Sequence, residues 1–378
     1  MRITQKGFSP LNVFLFTNCC SIIAWLFPDF GYLRKGFKEQ IPILSFNMLA
    51  YISIMFLFCC FIWLGYNLFP SKKKSPAYID GAIISDRVYF ISIAISFLGL
   101  VATYLAILKS ISISEIMNVF SEGKANSLKE ALYENYSFGV VSLRYCAILS
   151  GSFAIYRRMV KRKKLILDLA AIGILLMAAM ISSRLILVAA IFGSIYLYVF
   201  DKKIIKIKVA KIIIGIVSGF LILSILNWTR NSNYYELQGM GFFSAGISEI
   251  LAYVGTPVQG ALFAIDNPSV AADLTKFYAL STIESSLTTN SAILDVVRIM
   301  GLPGIALAAI TLFMASLYVS FFERIKNGKY IFFNIPIFYS IAEFWRIFIF
   351  YQGLILTLVF ASIVLYIVAK MKFRGGKR

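Results

Sequence analysis

The sequence predicts an all-α polytopic membrane protein of about ten transmembrane helices, with a large extracytoplasmic loop between the seventh and the eighth. Three observations predict it. Of 378 residues, 60% are hydrophobic and 15% charged, whereas a soluble domain carries about 25% charged residues. The mean hydropathy is +0.81, and long apolar stretches recur along the chain, so lipid must cover a surface too large for one soluble core. The third observation is the charge pattern. There are 37 Lys+Arg against 18 Asp+Glu, a net charge of +19, and the basic residues collect on alternate connections, as cytoplasmic loops do. In a soluble protein this excess would suggest nucleic acid; in a polytopic one it reports orientation, and no nucleic acid is expected.

The first apolar run, 11–28, follows Arg2 and Lys6. Its Asn18-Cys19-Cys20-Ser21 is neither a small-x-small cleavage site nor a lipobox, so the run is expected to remain as an uncleaved first span. Runs 42–65, 88–109 and 137–156 follow. The fifth and sixth, 165–183 and 185–200, are separated only by Ser182-Ser183-Arg184. Together they far exceed the ~20 residues that span a bilayer, which predicts a tight hairpin. Runs 209–228, 297–321, 331–346 and 348–369 complete the set, and residues 1–378 form one membrane domain. With both termini cytoplasmic, loops on that side hold 25 of the 37 Lys/Arg, including Lys72-Lys73-Lys74, Arg157-Arg158 and Arg162-Lys163-Lys164. The opposite loops hold 11, and Arg144 lies within a span.

Three outer connections are longer than a turn: 28–41, 110–136 and 228–296. The second contains Glu115, Glu122, Glu130 and Glu134 and is expected to hold a short amphipathic helix. In the third, Phe243, Ile247, Ile250, Leu251 and Val254 share one helical face, which predicts an amphipathic helix over 242–254, broken near Gly255 and Pro257. Long ordered loops are usually lids or binding elements. No internal repeat is evident, which disfavours a transporter built from inverted repeats.

Absences narrow the chemistry. Cys19, Cys20, Cys59, Cys60 and Cys146 all fall in apolar runs, where a thiol acts as a small hydrophobe, and no disulfide framework or zinc site is readable. There is no histidine, hence no Ser-His or Cys-His nucleophile and no ordinary neutral-pH base. There is no Walker A motif, and no Asp-x-Asp in a cytoplasmic loop to hold a metal and a nucleotide sugar. No cofactor or metal is expected, and an outer-face site would need a donor that is already activated.

Arginine at the outer face runs against the positive-inside bias, which makes Arg184, Arg230, Arg298 and Arg346 informative. Four helix ends place a guanidinium at about one depth, and its planar fork pairs bidentately with phosphate at any working pH. They suit an anionic lipid pyrophosphate; snorkelling anchors are the alternative. Arg144, within Val141-Ser142-Leu143-Arg144-Tyr145, is a charge inside the bilayer. It could reach the same cavity or pair with Glu343 or Asp168. Glu343 and Arg346 share a helical face and could neutralise each other. Among the outer acids Glu236, Glu249, Asp266, Asp273, Glu284 and Asp295, Glu249 is the preferred general base, with a solvated helix face as the alternative. Tyr234, Tyr235 and Tyr253, with Trp228, Phe242 and Phe243, could stack on sugar rings or form an interfacial aromatic belt.

Three places carry a family resemblance: Ile181-Ser182-Ser183-Arg184, Thr229-Arg230 through Tyr234-Tyr235, and Tyr253-Val254-Gly255-Thr256-Pro257-Val258. With the hydropathy profile they resemble the bacterial O-antigen polymerases, the oligosaccharide repeat-unit polymerases of the flippase-and-polymerase pathway. The resemblance implies a GT-C-like membrane glycosyltransferase in the bacterial cytoplasmic membrane, acting on undecaprenyl-pyrophosphate-linked oligosaccharides already flipped outward. It implies Arg184 and Arg230 as the residues that stabilise the departing pyrophosphate, with Arg144, Arg298 and Arg346 as supporting cations. A chain-length-regulating copolymerase and a flippase would be partners. The related ligases typically use a loop histidine, which this sequence lacks; a polysaccharide flippase or exporter is the rival class.

Overall fold

The computed structural model describes residues 2–4, 6–27, 40–70, 84–109, 139–160, 165–181, 185–202, 204–206, 239–281, 291–325 and 330–371, with isolated residues within 111–114 and 217–237. The helices in chain order are α1 (Pro10–Trp25), α2 (Phe46–Asn67), α3 (Asp86–Ile107), α4 (Ala147–Met159), α5 (Leu165–Ile181) and α6 (Leu185–Lys202). They continue with α7 (Phe242–Asp266), α8 (Pro268–Ala271), α9 (Leu274–Ser281), α10 (Ala292–Met300), α11 (Gly304–Ser320), α12 (Asn334–Ala342) and α13 (Gly353–Lys370). A short antiparallel ladder pairs β1 (Arg2–Thr4) with β2 (Ile204–Lys206).

Among the described residues, five helices are long and apolar enough to cross a membrane: Phe46–Asn67, Asp86–Ile107, Leu185–Lys202, Gly304–Ile325 and Gly353–Lys370. Three shorter apolar helices, Pro10–Trp25, Leu165–Ile181 and Ile331–Ala342, match further predicted runs. Two runs differ from expectation. The fourth begins as a 3-10 segment, Val140–Cys146, before α4, and the eighth is interrupted between α10 and α11 at Gly301, whose φ of 65° suits glycine. The seventh run, the 110–136 helix and the Ser182-Ser183-Arg184 turn lie wholly or largely outside the described residues.

One compact unit comprises Met1–Pro70, Ile204–Ser320 and Ser340–Ile349. Its helix starts are written locally: the hydroxyls of Ser9, Ser45 and Ser291 accept from Asn12, Met48 and Leu294 N–H and so satisfy orphan donors of α1, α2 and α10. Within it α7 packs against α1, α2 and α10, and α11 against α2 and α10.

The expected break at Gly255 and Pro257 does not occur, and α7 continues to Asp266. Pro257 removes the N–H that would reach the Tyr253 carbonyl. Packing against α1 outweighs that loss. The Ser21 hydroxyl donates to the neighbouring Val254 carbonyl at 2.6 Å, and the Trp25 indole N–H donates to Gln259 Oε1 at 2.8 Å. Gly255 is the point of closest approach: a Cβ there would sit 2.8 Å from the Trp25 nitrogen.

The buried face of α7 also differs from expectation. Ala245, Ser248, Ala252, Thr256 and Gln259 are buried, whereas Phe243 is 61% exposed and Ile247 points outward. Small side chains on the buried face let α7 approach its neighbours closely, as at Gly255. Gly255→Ala is therefore expected to destabilise by about 1–3 kcal/mol through overpacking, read as a lower Tm. Gly173→Ala, where the added Cβ meets nothing within 4 Å, should not lower Tm.

The other unit comprises Ser71–Lys203, Phe321–Tyr339 and Phe350–Arg378. Buried α4 packs against α3, α5 and α6. Gly99 of α3 lies directly on the Leu143 and Arg144 backbone, so the 3-10 segment is pressed onto α3. Hydroxyls tie the helices together: Ser96 donates to Ser150 Oγ at 3.0 Å and Ser152 to the Ala190 carbonyl at 3.0 Å. Tyr196 donates to Glu323 at 2.7 Å and receives the Asn334 amide at 2.8 Å.

Charge is buried where three helix ends meet. Asp168, in the first turn of α5, is an ion partner of Arg158 Nε at 3.0 Å and Arg157 Nε at 3.7 Å, and accepts from the Tyr89 hydroxyl at 2.8 Å. Arg157 also reaches Asp86, the first residue of α3, at 2.7 Å, and its guanidinium lies 4.6 Å from the Tyr89 ring centroid. The acids stand at helix N-termini and the arginines at the C-terminus of α4, each matched to the local end of the helix dipole. Arg157-Arg158, expected as loop charges, thus belong to a buried network, and Asp168 pairs with them rather than with Arg144.

Candidate functional site

The site is built in the first unit on the turn that follows α12. That turn is non-helical, so its backbone groups need partners other than a helix ladder. Phe344 anchors it, with ring centroids 5.7 Å from Phe14 and 5.2 Å from Phe58, and Phe348 packs on Phe344 at 5.9 Å. The Phe348 N–H donates to Asp295 Oδ2 of α10 at 3.0 Å.

On this frame Arg346 Nε pairs with Glu343 Oε2 at 2.6 Å, as their spacing predicted. The guanidinium lies 5.2 Å from the Tyr253 ring centroid and 5.9 Å from that of Trp345. Tyr253, 46% exposed, meets Trp345 edge-on with centroids 6.1 Å apart. A planar cation, a carboxylate and two aromatic rings from α7 and the turn thus share one corner. It can offer forked donors, an acceptor and ring faces.

Asp295 is 2% exposed. Burial pushes its carboxyl up to about 6, against the opposing effects of the Phe348 N–H bond and the Arg298 charge. Arg298 lies one turn further along α10. Tyr278 of α9 is also shifted upward, by burial and then by the Asp295 charge, with Arg298 opposing. Asp295, Arg298 and Tyr278 therefore form one electrostatic group, joined to the Arg346 turn through Phe348.

The folded state binds the Asp295 proton more tightly than the unfolded chain does. Stability falls as pH rises from about 4 to about 6, and above that the buried charge destabilises by as much as about 3 kcal/mol. Asp295→Asn, which keeps an acceptor for the Phe348 N–H, is expected to raise Tm at pH 7.5. The difference should shrink toward nothing near pH 4.

The remaining predicted site residues are placed differently. Arg144 is 1% exposed and donates to the Val141 carbonyl at 3.1 Å and the Tyr145 hydroxyl at 2.9 Å, with its guanidinium over the Tyr145 ring. It is packed inside the second unit, where it holds the 3-10 segment. Tyr235 is fully buried and stacked on Trp228 at 6.0 Å, and Trp228 packs edge-on against Phe242. These rings pack on each other. Arg184, Arg230 and Tyr234 lie outside the described residues, as does the Glu249 side chain, although its backbone belongs to α7. No group of three or more His, Cys, Asp or Glu able to hold a metal occurs among the described residues.

Asp295 and Trp345 are the residues that sequence reasoning undervalued. The signal for Asp295 was present, an acid inside the apolar run Ala292-Ile293-Leu294-Asp295-Val296-Val297. Trp345 carried none, since its value lies in the contact with Tyr253.

The fold and the five apolar helices define a multi-pass helical membrane protein. No family model matches the chain, and no curated protein or solved structure matches it.

Proposed function

We propose that the chain is a membrane glycosyltransferase that polymerises undecaprenyl-pyrophosphate-linked oligosaccharide repeat units into O-antigen or a similar surface polysaccharide. In this reading it crosses the bacterial cytoplasmic membrane about ten times in a GT-C-like arrangement, termini inside and residues 228–296 outside. A hydroxyl at the non-reducing end of a fresh lipid-linked unit attacks the anomeric carbon of the nascent chain. The bond from that carbon to the pyrophosphate oxygen breaks, undecaprenyl pyrophosphate leaves with the electron pair, and the hydroxyl proton passes to a base, for which Glu249 is the candidate.

Arg184 and Arg230 would stabilise the charge that grows on the leaving group. The observation that carries the reading is the Arg346 corner. An arginine already paired with Glu343 and lying beside Tyr253 and Trp345 suits sugar hydroxyls next to a phosphate better than a bare dianion, because its charge is largely compensated. Arg298 would supply a supporting cation. Arg144 and Tyr235, being buried, would act on the scaffold rather than on the glycan.

The test is reconstitution in liposomes with purified undecaprenyl-pyrophosphate repeat units. A ladder of lengthened glycans without nucleotide or metal is the expected result. Arg184→Ala and Arg230→Ala should each abolish it at normal protein levels, and wild-type ladders from both would remove them from the site. The second reading, a lipid-linked glycan exporter, is favoured by the buried charge cluster around Asp168; it predicts movement of intact units across the bilayer and no ladder.

A further inference from the structure

Asp295 presents a physical contradiction. The turn needs an acceptor for the buried Phe348 N–H, and an asparagine would supply one. A carboxylate there is taken out of water, which weakens the folded state. Groups that lower stability are retained where activity needs them.

We propose that Asp295 is a positioning residue, whose ionised carboxylate holds the 343–348 turn through the Phe348 N–H and so keeps the Arg346 guanidinium in place on Tyr253. The part of this that concerns catalysis rests on the polymerase reading; the positioning itself does not. A hydrogen bond to an ionised acceptor is about twice as strong as one between neutral groups. Protonation therefore loosens the turn and also removes the attraction to Arg298.

The surroundings of the carboxylate are defined. Its own helix contributes Arg298, α9 contributes Tyr278, and the turn contributes the Glu343–Arg346 pair. Helix α7 carries Tyr253 and Asp266, along with Glu249. Helix α8 has no ionisable side chain, and α11 has Tyr318 near its far end. Within that set, Asp295 is the carboxyl group shifted toward neutrality, and the shifted tyrosines stay neutral throughout this pH range.

Trp345 sits in the turn and reports on it without any need for activity. In lipid nanodiscs, its fluorescence, taken as the difference between wild type and Trp345→Phe, is expected to change with a midpoint near pH 6. The step should vanish in Asp295→Asn, although that protein is the more stable at pH 7.5, and persist in Asp295→Glu. The same step in Asp295→Asn, or no step in wild type, overturns the proposal.

The rate of ladder formation then shows whether catalysis uses the device. It should fall severalfold in wild type as pH drops through the same window and stay level in Asp295→Asn. A fluorescence step with no ladder at any pH would sink the polymerase reading and leave the positioning role standing. A ladder whose pH profile is identical in wild type and Asp295→Asn would show that the turn's position does not govern transfer, and overturns that half of the proposal.

Discussion

Asp168→Ala is expected to destabilise the protein by about 3–5 kcal/mol, the usual result of removing one partner from a buried ion pair. The carboxylate is fully buried and serves Arg157, Arg158 and Tyr89 together. Without it, Arg158 can turn toward water, since it is already partly exposed. Arg157 cannot, because it is 2% exposed, and its remaining carboxylate among the described residues is Asp86, itself half in solvent. The Tyr89 hydroxyl also loses its acceptor. Removing the whole group at once should be far milder, since buried ion pairs can be replaced by apolar side chains of similar volume at little loss. Tyr89→Phe, Arg157→Met and Asp168→Leu combined should therefore melt near the wild type, while Asp168→Ala alone melts well below it. Thermal unfolding in detergent distinguishes the two, and equal melting of Asp168→Ala and wild type would show that the network is not a structural determinant.

The second large effect concerns the Arg346 corner. On the polymerase reading, Arg346→Ala is expected to reduce ladder formation by about 10–10², the usual loss when one charged hydrogen-bond donor to the substrate is removed. The same change leaves Glu343 buried without its partner, so stability falls too and the single variant confounds two causes. The double variant Glu343→Gln with Arg346→Met separates them. Removing both charges should restore Tm, and the ladder should remain lost. Arg346→Lys should recover the charge but little of the rate, because an ammonium has neither the planar fork nor the flat face that lies beside Tyr253 and Trp345. A full ladder from the double variant would make the corner a structural clamp and nothing more.

Both predictions rest on pairings that were only partly legible. The Glu343–Arg346 pair followed from a three-residue spacing on one helical face, although the structure places it at a turn beyond the end of α12. Asp168 was named only as one possible partner of Arg144, because spacing along a chain does not say which helix ends meet. Arg157 and Arg158 read as loop charges by the same logic as Lys72-Lys73-Lys74, which lie outside the described residues. Gly255 and Pro257 are honest helix breakers in isolation, and α1 overrides them by supplying the Ser21 and Trp25 donors. Amphipathicity misled in α7 for a related reason: close approach to α1 favours small side chains at the contact, which leaves Phe243 and Ile247 exposed.

By itself the sequence determined that the chain is helical and multi-pass. These are local properties: hydropathy over some twenty residues decides whether lipid must cover a segment. Tertiary structure alone decided that α7 runs unbroken, that Asp295 is buried against the Phe348 N–H, and that Arg346 lies on Tyr253. Each depends on residues tens to hundreds of positions apart meeting at ångström distances, and burial, which sets both the energy of a charge and its proton affinity, exists only once they have met.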